Sequence, residues 1–282
     1  MNDINPRVDI AFKKIFGVEE NKDLLISLIN SIVGKEDQIA EVTILNPYNP
    51  KSSPKDKLSI LDIKASGETG KRYNIEIQIS DEGDYDKRAL YYWAKLYTEQ
   101  LKNAKDYKEL CKAIGIHILY FNAILTTKDY HNRFHIVEKD KGFEYFKDLE
   151  LHTIELKKFC NNTNESLEDI LKKVKNSLDR WTTFLTRHEL LERSPLPKQL
   201  DDPSLKKAMH VLEVMRFTDE ERELYEEHLK WLRMEASALK KQREEGRKEE
   251  KKEIAKAMLA AGYKISEIAS LTGLSISEIN KL

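Results

Sequence analysis

The sequence predicts an α/β protein with an α-helical C-terminal extension. Three observations carry this expectation. Within the first 155 or so residues, apolar periodicity switches between helical spacing and strand alternation. The elements there run helix, strand, strand, strand, helix, strand. Beyond that point the pattern is helical only. A chain of 282 residues is long enough for more than one domain. The division expected is an α/β domain at 1–155, a helical region at 156–235, and a charged helical linker with a small tail at 236–282.

Each element has local grounds. "NPRVDIAFKKIFG" reads as a short helix with Pro6 at its mouth, Gly17 at its end and an apolar stripe of Val8, Ala11, Phe12 and Ile15. "NKDLLISLINSIVG" reads as a second helix, stopped by Gly34. "QIAEVTILNPYNP" is a strand running into a proline-bounded loop. "LSILDIKASGETGKRYNIEIQIS" is two strands joined by a turn. "DYDKRALYYWAKLYTEQLKNAKDY" is a long amphipathic helix whose buried face is marked by Leu90, Ala94, Tyr97 and Leu101. "KAIGIHILYFNAI" is nearly continuous in apolar residues and fits a central strand covered on both faces.

The C-terminal part is charge-rich. Leu224, Trp231 and Ala238 recur at sevens in a helical run, a seam too short to define a coiled coil. "KKQREEGRKEEKKE" fits a solvated helix surface or linker. In "AGYKISEIASLTGLSISEINKL", Gly262 ends one helix and Ser266 is placed to cap the next. Thr272-Gly273 makes a turn, and Ser275 with Glu278 forms a capping box. Helix, tight turn, helix is the plan of a helix-turn-helix. Asn280 and Lys281 are its groove readers, while Glu267 and Glu278 would repel phosphate. A packing or homodimerisation module competes with a DNA reader here.

Composition excludes several classes. The 48 Lys+Arg and 49 Asp+Glu nearly cancel, so no globally basic nucleic-acid binder is indicated, although a local basic face is compatible. The two cysteines, Cys111 and Cys160, stand apart, which argues against a disulfide framework and a zinc knuckle and for a reducing compartment. No apolar run suits a signal peptide or a membrane span, so a soluble, cytoplasmic protein without membrane partners is expected. His131 and His135 are four apart but lack the glutamate of a zinc helix motif.

The chemistry concentrates in the hairpin. Asn74, Glu76, Gln78 and Ser80 point to one face of their strand; Tyr73, Ile75, Ile77 and Ile79 point to the other. A turn centred near Thr69 puts Asp62 opposite Glu76. Two carboxylates facing each other across a hairpin repel unless a cation lies between them. Hard oxygen ligands on rigid strands suit Mg²⁺. The competing reading is a solvated sheet face, with Glu76 paired to Lys64 or Arg72.

The hairpin resembles the catalytic core of PD-(D/E)XK nucleases, an Asp on one strand and E-x-K on the next. The element order is also that superfamily's core, a mixed sheet flanked by helices. More narrowly, "DIAFKKIFG", "LDIKASGETGKRYNIEIQI", "KRALYYWAKLYTEQL" and "YKELCKAIGIHIL" are similar to the Rpn family of recombination-promoting nucleases, also described as transposase-like. The tail "AKAMLAAGYKISEIASLTGLSISEINKL" is similar to that family's C-terminal segment. The resemblance implies a Mg²⁺- or Mn²⁺-dependent DNA endonuclease active in recombination, mobile-element traffic or defence. It makes Asp62 and Glu76 metal ligands, with the Ile77 carbonyl completing the site. It puts Gln78 at the lysine position, a departure from the superfamily pattern that is usual among Rpn relatives. Gln can orient a water but brings no charge, so Arg88, Lys64 and Lys13 become candidates to supply it. Asp9 stands where the superfamily often adds a third acid, able to bind metal or orient Lys13. Tyr91, Tyr92 and Trp93 could stack on bases or belong to the core, and Gln100 is a weaker candidate. The alternative function is a weak or inactive nuclease scaffold that binds DNA or regulates.

Overall fold

The computed structural model describes residues 4–46, 63–80, 83–101, 106–160, 165–191 and 196–282, without the side chains at 228, 231–233 and 235–245. Asp62 lies outside these residues, as do the side chains of Trp231 and Ala238. The chain divides into two compact units, Met1–His228 and Leu229–Leu282.

The first unit is built on a six-stranded mixed sheet. Its strands are β1 (Val42–Ile44), β2 (Ile63–Gly67), β3 (Arg72–Gln78), β4 (Ala113–Leu119), β5 (His131–Phe134) and β6 (Leu149–Glu155). Their spatial order is β1-β2-β3-β4-β6-β5. The core strands β3, β4 and β6 are parallel; β1, β2 and β5 join antiparallel. Parallel neighbours need a crossover, and α3 (Tyr85–Thr98) supplies it between β3 and β4. As its sequence predicts, every residue of β4 is buried.

The β2–β3 register puts Ile63 opposite Ile75 and Lys64 opposite Asn74, the pairing that a turn centred near Thr69 sets. Gly70, at φ 82°, takes the left-handed conformation that a Cβ would oppose.

Helix α1 (Asp9–Phe16) ends beside Ile63, and α2 (Lys22–Ile32) packs on α1 and on β1. Gly17 ends α1 where an added Cβ would stand 2.9 Å from the Lys13 carbonyl and 3.4 Å from Ile63. The helical apolar stripe forms as read: Val8, Ala11, Phe12 and Ile15 are buried, and so are Phe16 and, in α2, Leu24, Leu25, Leu28 and Ile29. After β6 the chain forms α4 (Leu156–Phe159), α5 (Leu167–Lys173), α6 (Ser177–Arg187) and α7 (Pro203–Val214). Trp181 of α6 packs edge-on against Phe16 at 5.3 Å between ring centroids.

Three expectations change. β5 and β6 add two strands to the four that the sequence predicts. The crossover helix ends at Thr98, and its buried residues are Tyr85, Ala89 and Leu96, while Leu90 is 52% exposed. Several stripes run along such a helix, and packing against β4 selects the one with Ala89 rather than bulky Leu90. In the tail, Lys264 rather than Ser266 is the N-cap residue of α9 (Ile265–Thr272); Glu267 accepts the Lys264 N–H at 3.2 Å.

The second unit contains the C-terminal part of α8 (Asp219–Ala260), then α9 and α10 (Ile276–Ile279). Ala255, Ile268, Leu274 and Ile279 form its core. Gly262 and Gly273 carry the positive φ values of the two turns. The capping box is present: Ser275 Oγ accepts from Glu278 N, and Glu278 Oε2 accepts from Ser275 N at 3.0 Å. Those bonds and Lys248 hold the pKa of the Glu278 carboxyl down at about 2. No helix among the described residues is long and apolar enough to cross a membrane.

Candidate active site

β3 has strand neighbours on both sides and helices on both faces, so everything from Tyr73 to Ile77 is buried. That includes Glu76, only 4% exposed. A carboxylate in such a place is costly unless hydrogen bonds replace its water. Asn74 Nδ2 donates to Glu76 Oε1 at 3.1 Å, and Tyr85 OH donates to Oε2 at 3.3 Å. Asn74 reaches it because residues two apart share a strand face. Tyr85 reaches it because α3 crosses that face.

Behind Tyr85 stands His117, opposite Glu76 in the β3–β4 register. Tyr85 OH is 2.9 Å from His117 Nδ1. Burial pushes the pKa of His117 down to about 3, with the Arg88 and His152 charges adding to it, so the ring is neutral at pH 7. Its Nδ1 lies 3.9 Å from Glu76 Oε2.

One turn along α3, Arg88 Nη2 donates to Gln78 Oε1 at 2.5 Å. The guanidinium also sits 4.8 Å over the Tyr85 ring. Residues three apart on α3 thus meet residues two apart on β3: Tyr85 with Glu76, Arg88 with Gln78. Of the other cations named from sequence, Lys64 pairs with Glu99 at 3.4 Å and buried Lys13 with Asp9 at 3.3 Å. Ile77 is buried in β3 beside Ile118 of β4.

The remaining candidates have other partners. Trp93 Nε1 donates to the Ala113 carbonyl at 2.8 Å and its ring stacks on Tyr97, fastening α3 to β4. Tyr91 is 64% exposed and packs against Tyr92. Gln100 bonds both the N–H and the carbonyl of Cys111, at 3.0 and 2.9 Å. It braces the approach to β4. Among the described residues, no group of three or more His, Cys, Asp or Glu could hold a metal.

Sequence reading missed the support around Glu76, namely Asn74, Tyr85 and His117. The one available signal was a histidine inside the apolar run "GIHIL". It also missed a buried polar chain on the opposite sheet face. His131 Nε2 is 2.9 Å from His152 Nδ1, and His152 Nε2 is 2.6 Å from Glu150 Oε1. Lys112 then joins Glu150 at 2.7 Å to Asp37 at 2.6 Å. His135 stands 3.6 Å from Glu150. Burial opposes the charge on Glu150, but His152 and Lys112 win and hold the pKa of its carboxyl at about 2.

A mixed α/β sheet with parallel core strands, a crossover helix on one face and E-x-Q on its third strand defines a nuclease-like fold of the PD-(D/E)XK kind. The chain belongs to the PD-(D/E)XK nuclease family transposases, whose family model matches residues 6–242. The match ends within α8, so α9 and α10 lie beyond it. No curated protein and no solved structure matches the chain.

Proposed function

We propose that the chain is a divalent-metal-dependent DNA endonuclease, with Asp62, Glu76 and the Ile77 carbonyl as ligands for Mg²⁺ or Mn²⁺. The observation that supports this best is the hydrogen bond from Arg88 to Gln78. It brings a fixed positive charge to the strand position where the superfamily keeps a lysine. The ligand atoms fit the cation: carboxylate and carbonyl oxygens on strands are hard donors. A bound divalent cation would lower the pKa of a water and polarise the scissile phosphate.

The protein groups divide the rest. Asn74 and Tyr85 fix the Glu76 carboxylate, one on each oxygen. Arg88 engages Gln78 Oε1 and Gln78 Nε2 donates to Ser80 Oγ at 3.5 Å, so the amide that would position the attacking water is fixed at both ends. The guanidinium offsets charge that builds on the phosphate as the water attacks in line. Asp9, tied to Lys13, is the third acid. Cleavage of this kind suits recombination or mobile-element traffic.

The rival, an inactive scaffold that binds DNA, draws support from the neutral Gln78. A plasmid-nicking assay with Mg²⁺ or Mn²⁺ separates the two. Nicking by wild type, abolished in Glu76→Ala and Asp62→Ala, is the expected result. Equal cutting by those variants eliminates the site; an inert wild type that still retards DNA in a gel establishes the rival.

A further inference from the structure

At the end of β4 two cations converge on one aromatic ring. Arg7 Cζ lies 4.1 Å from the centroid of Tyr120, and Lys157 Nζ lies 4.9 Å from it. A cation over a tyrosine face gains modestly from the ring at an exposed site. A second cation at the same ring meets repulsion from the first. Charges brought together this way are usually neutralised by a carboxylate. Here, among the described residues, neither Arg7 nor Lys157 forms an ion pair. The nearest acid in sequence to Lys157, Glu155, is already held by Lys158 and by the N–H groups of Ala123 and Ile124.

Arg7 is also fixed in place. Its Nε donates to Asn5 Oδ1 at 3.1 Å, and the same oxygen accepts the Arg7 backbone N–H at 3.0 Å. Its Nη1 is buried and meets no acceptor among the described residues. With Nε bonded and Nη1 enclosed, Nη2, which is not buried and has no acceptor among the described residues, is the edge that can meet an anion. The cluster's location bears on which anion. Tyr120 N donates to the Gln78 carbonyl at 2.9 Å, so the ring starts from the residue beside the end of β3 that carries Gln78.

We infer that Arg7 and Lys157, set about Tyr120, each take one of two adjacent backbone phosphates of the nucleic-acid strand next to the cleavage site. This rests on the nuclease reading of the Glu76–Gln78 strand and adds to it a substrate-binding position outside the metal site. The clasp reads charge, not sequence: both groups are cations and the ring offers a face rather than a base-edge pattern.

The test is the salt dependence of binding to a labelled DNA duplex, read by fluorescence anisotropy in EDTA so that no turnover occurs. Each cation withdrawn from a phosphate reduces the slope of log K against log salt by about 0.9. Arg7→Gln and Lys157→Gln should each show a slope shallower than wild type by about 0.9, and the double variant by about 2. Arg7→Lys and Lys157→Arg should keep the wild-type slope. The slope depends on how many phosphates are neutralised, so a modest drop in stability does not mimic the effect, and the two cations are tested by independent variants. Wild-type slopes in both Gln variants overturn the clasp while leaving the metal site standing. Failure of wild type to bind DNA at all removes the nuclease reading and the clasp together.

Discussion

Acidification should unfold the first unit through the buried chain at β5 and β6, and His131 is the residue at which to isolate the effect. Burial, then the neighbouring His152 and Arg133 charges, push the pKa of His131 from 6.5 down to about 4, against a smaller opposite pull from Glu150. A histidine depressed in the folded state stabilises the fold fully above its ordinary value. That stability is lost as pH falls from 6.5 toward the folded value, because the unfolded chain then binds a proton that the native ring refuses. The slope is about 1.4 kcal/mol per pH unit, so moving to about pH 5 removes about 2 kcal/mol at this one residue. Glu150 does not act in that window: its carboxyl, held at about 2, gives up stability only below its ordinary value of 4.5. His117, down to about 3, acts with the same sign as His131 and makes the total loss larger. Comparison with His131→Gln isolates the effect, since glutamine can still hydrogen-bond His152 but does not titrate. Urea unfolding at about pH 7.5 and about pH 5 should cost wild type about 2 kcal/mol more than the variant. Equal losses in the two proteins would refute the reasoning.

Tyr85→Phe removes one O–H from the Glu76 carboxylate and should weaken Mn²⁺ binding, measured calorimetrically, by about 10-fold or more; unchanged affinity would remove Tyr85 from the site. Gln78→Lys restores the superfamily's residue but sets an ammonium against the Arg88 guanidinium. It should lower stability by about 1–3 kcal/mol, and Arg88→Leu in the same chain should recover part of that loss; additive losses in the double-mutant cycle would mean the two positions do not interact. Ile268→Ala opens a cavity in the small core of the tail and should cost about 2–5 kcal/mol there. Hydrogen exchange should then report α9 and α10 released while β4 keeps its protection; protection retained in both helices would count against that core.

The hairpin and the crossover were legible in sequence because their signals are local. Alternation in "YNIEIQIS" and the turn chemistry of "SGETGK" set the register without reference to the rest of the chain. β6 was illegible because "LELHTIE" places Glu150 and His152 on a buried face, where pattern reading expects apolar residues. What makes that burial tolerable is Lys112, and Asp37 beyond it, 75 residues earlier than Lys112 in the chain. The same distance hid the support of Glu76: the strand names its own acid, but His117 becomes its neighbour only when β4 pairs with β3. Arg88 is one of three cations that the sequence offers. The crossing of α3 over β3 sets it beside Gln78, whereas Lys64 and Lys13 are placed beside Glu99 and Asp9.

The way α1 is enclosed bears on how the chain is made. Phe16 rests against Trp181, Lys14 pairs with Glu221 at 2.8 Å, and the Asn5 N–H is capped by Tyr225 OH at 2.8 Å. The first of these helices to leave the ribosome is therefore the last to be closed over. At about 5–20 residues per second, Asn5 and Lys14 wait about 10–40 seconds for the segment that holds them. A chain released before Tyr225 is synthesised would carry the complete sheet with the Lys14 and Asn5 contacts unmade.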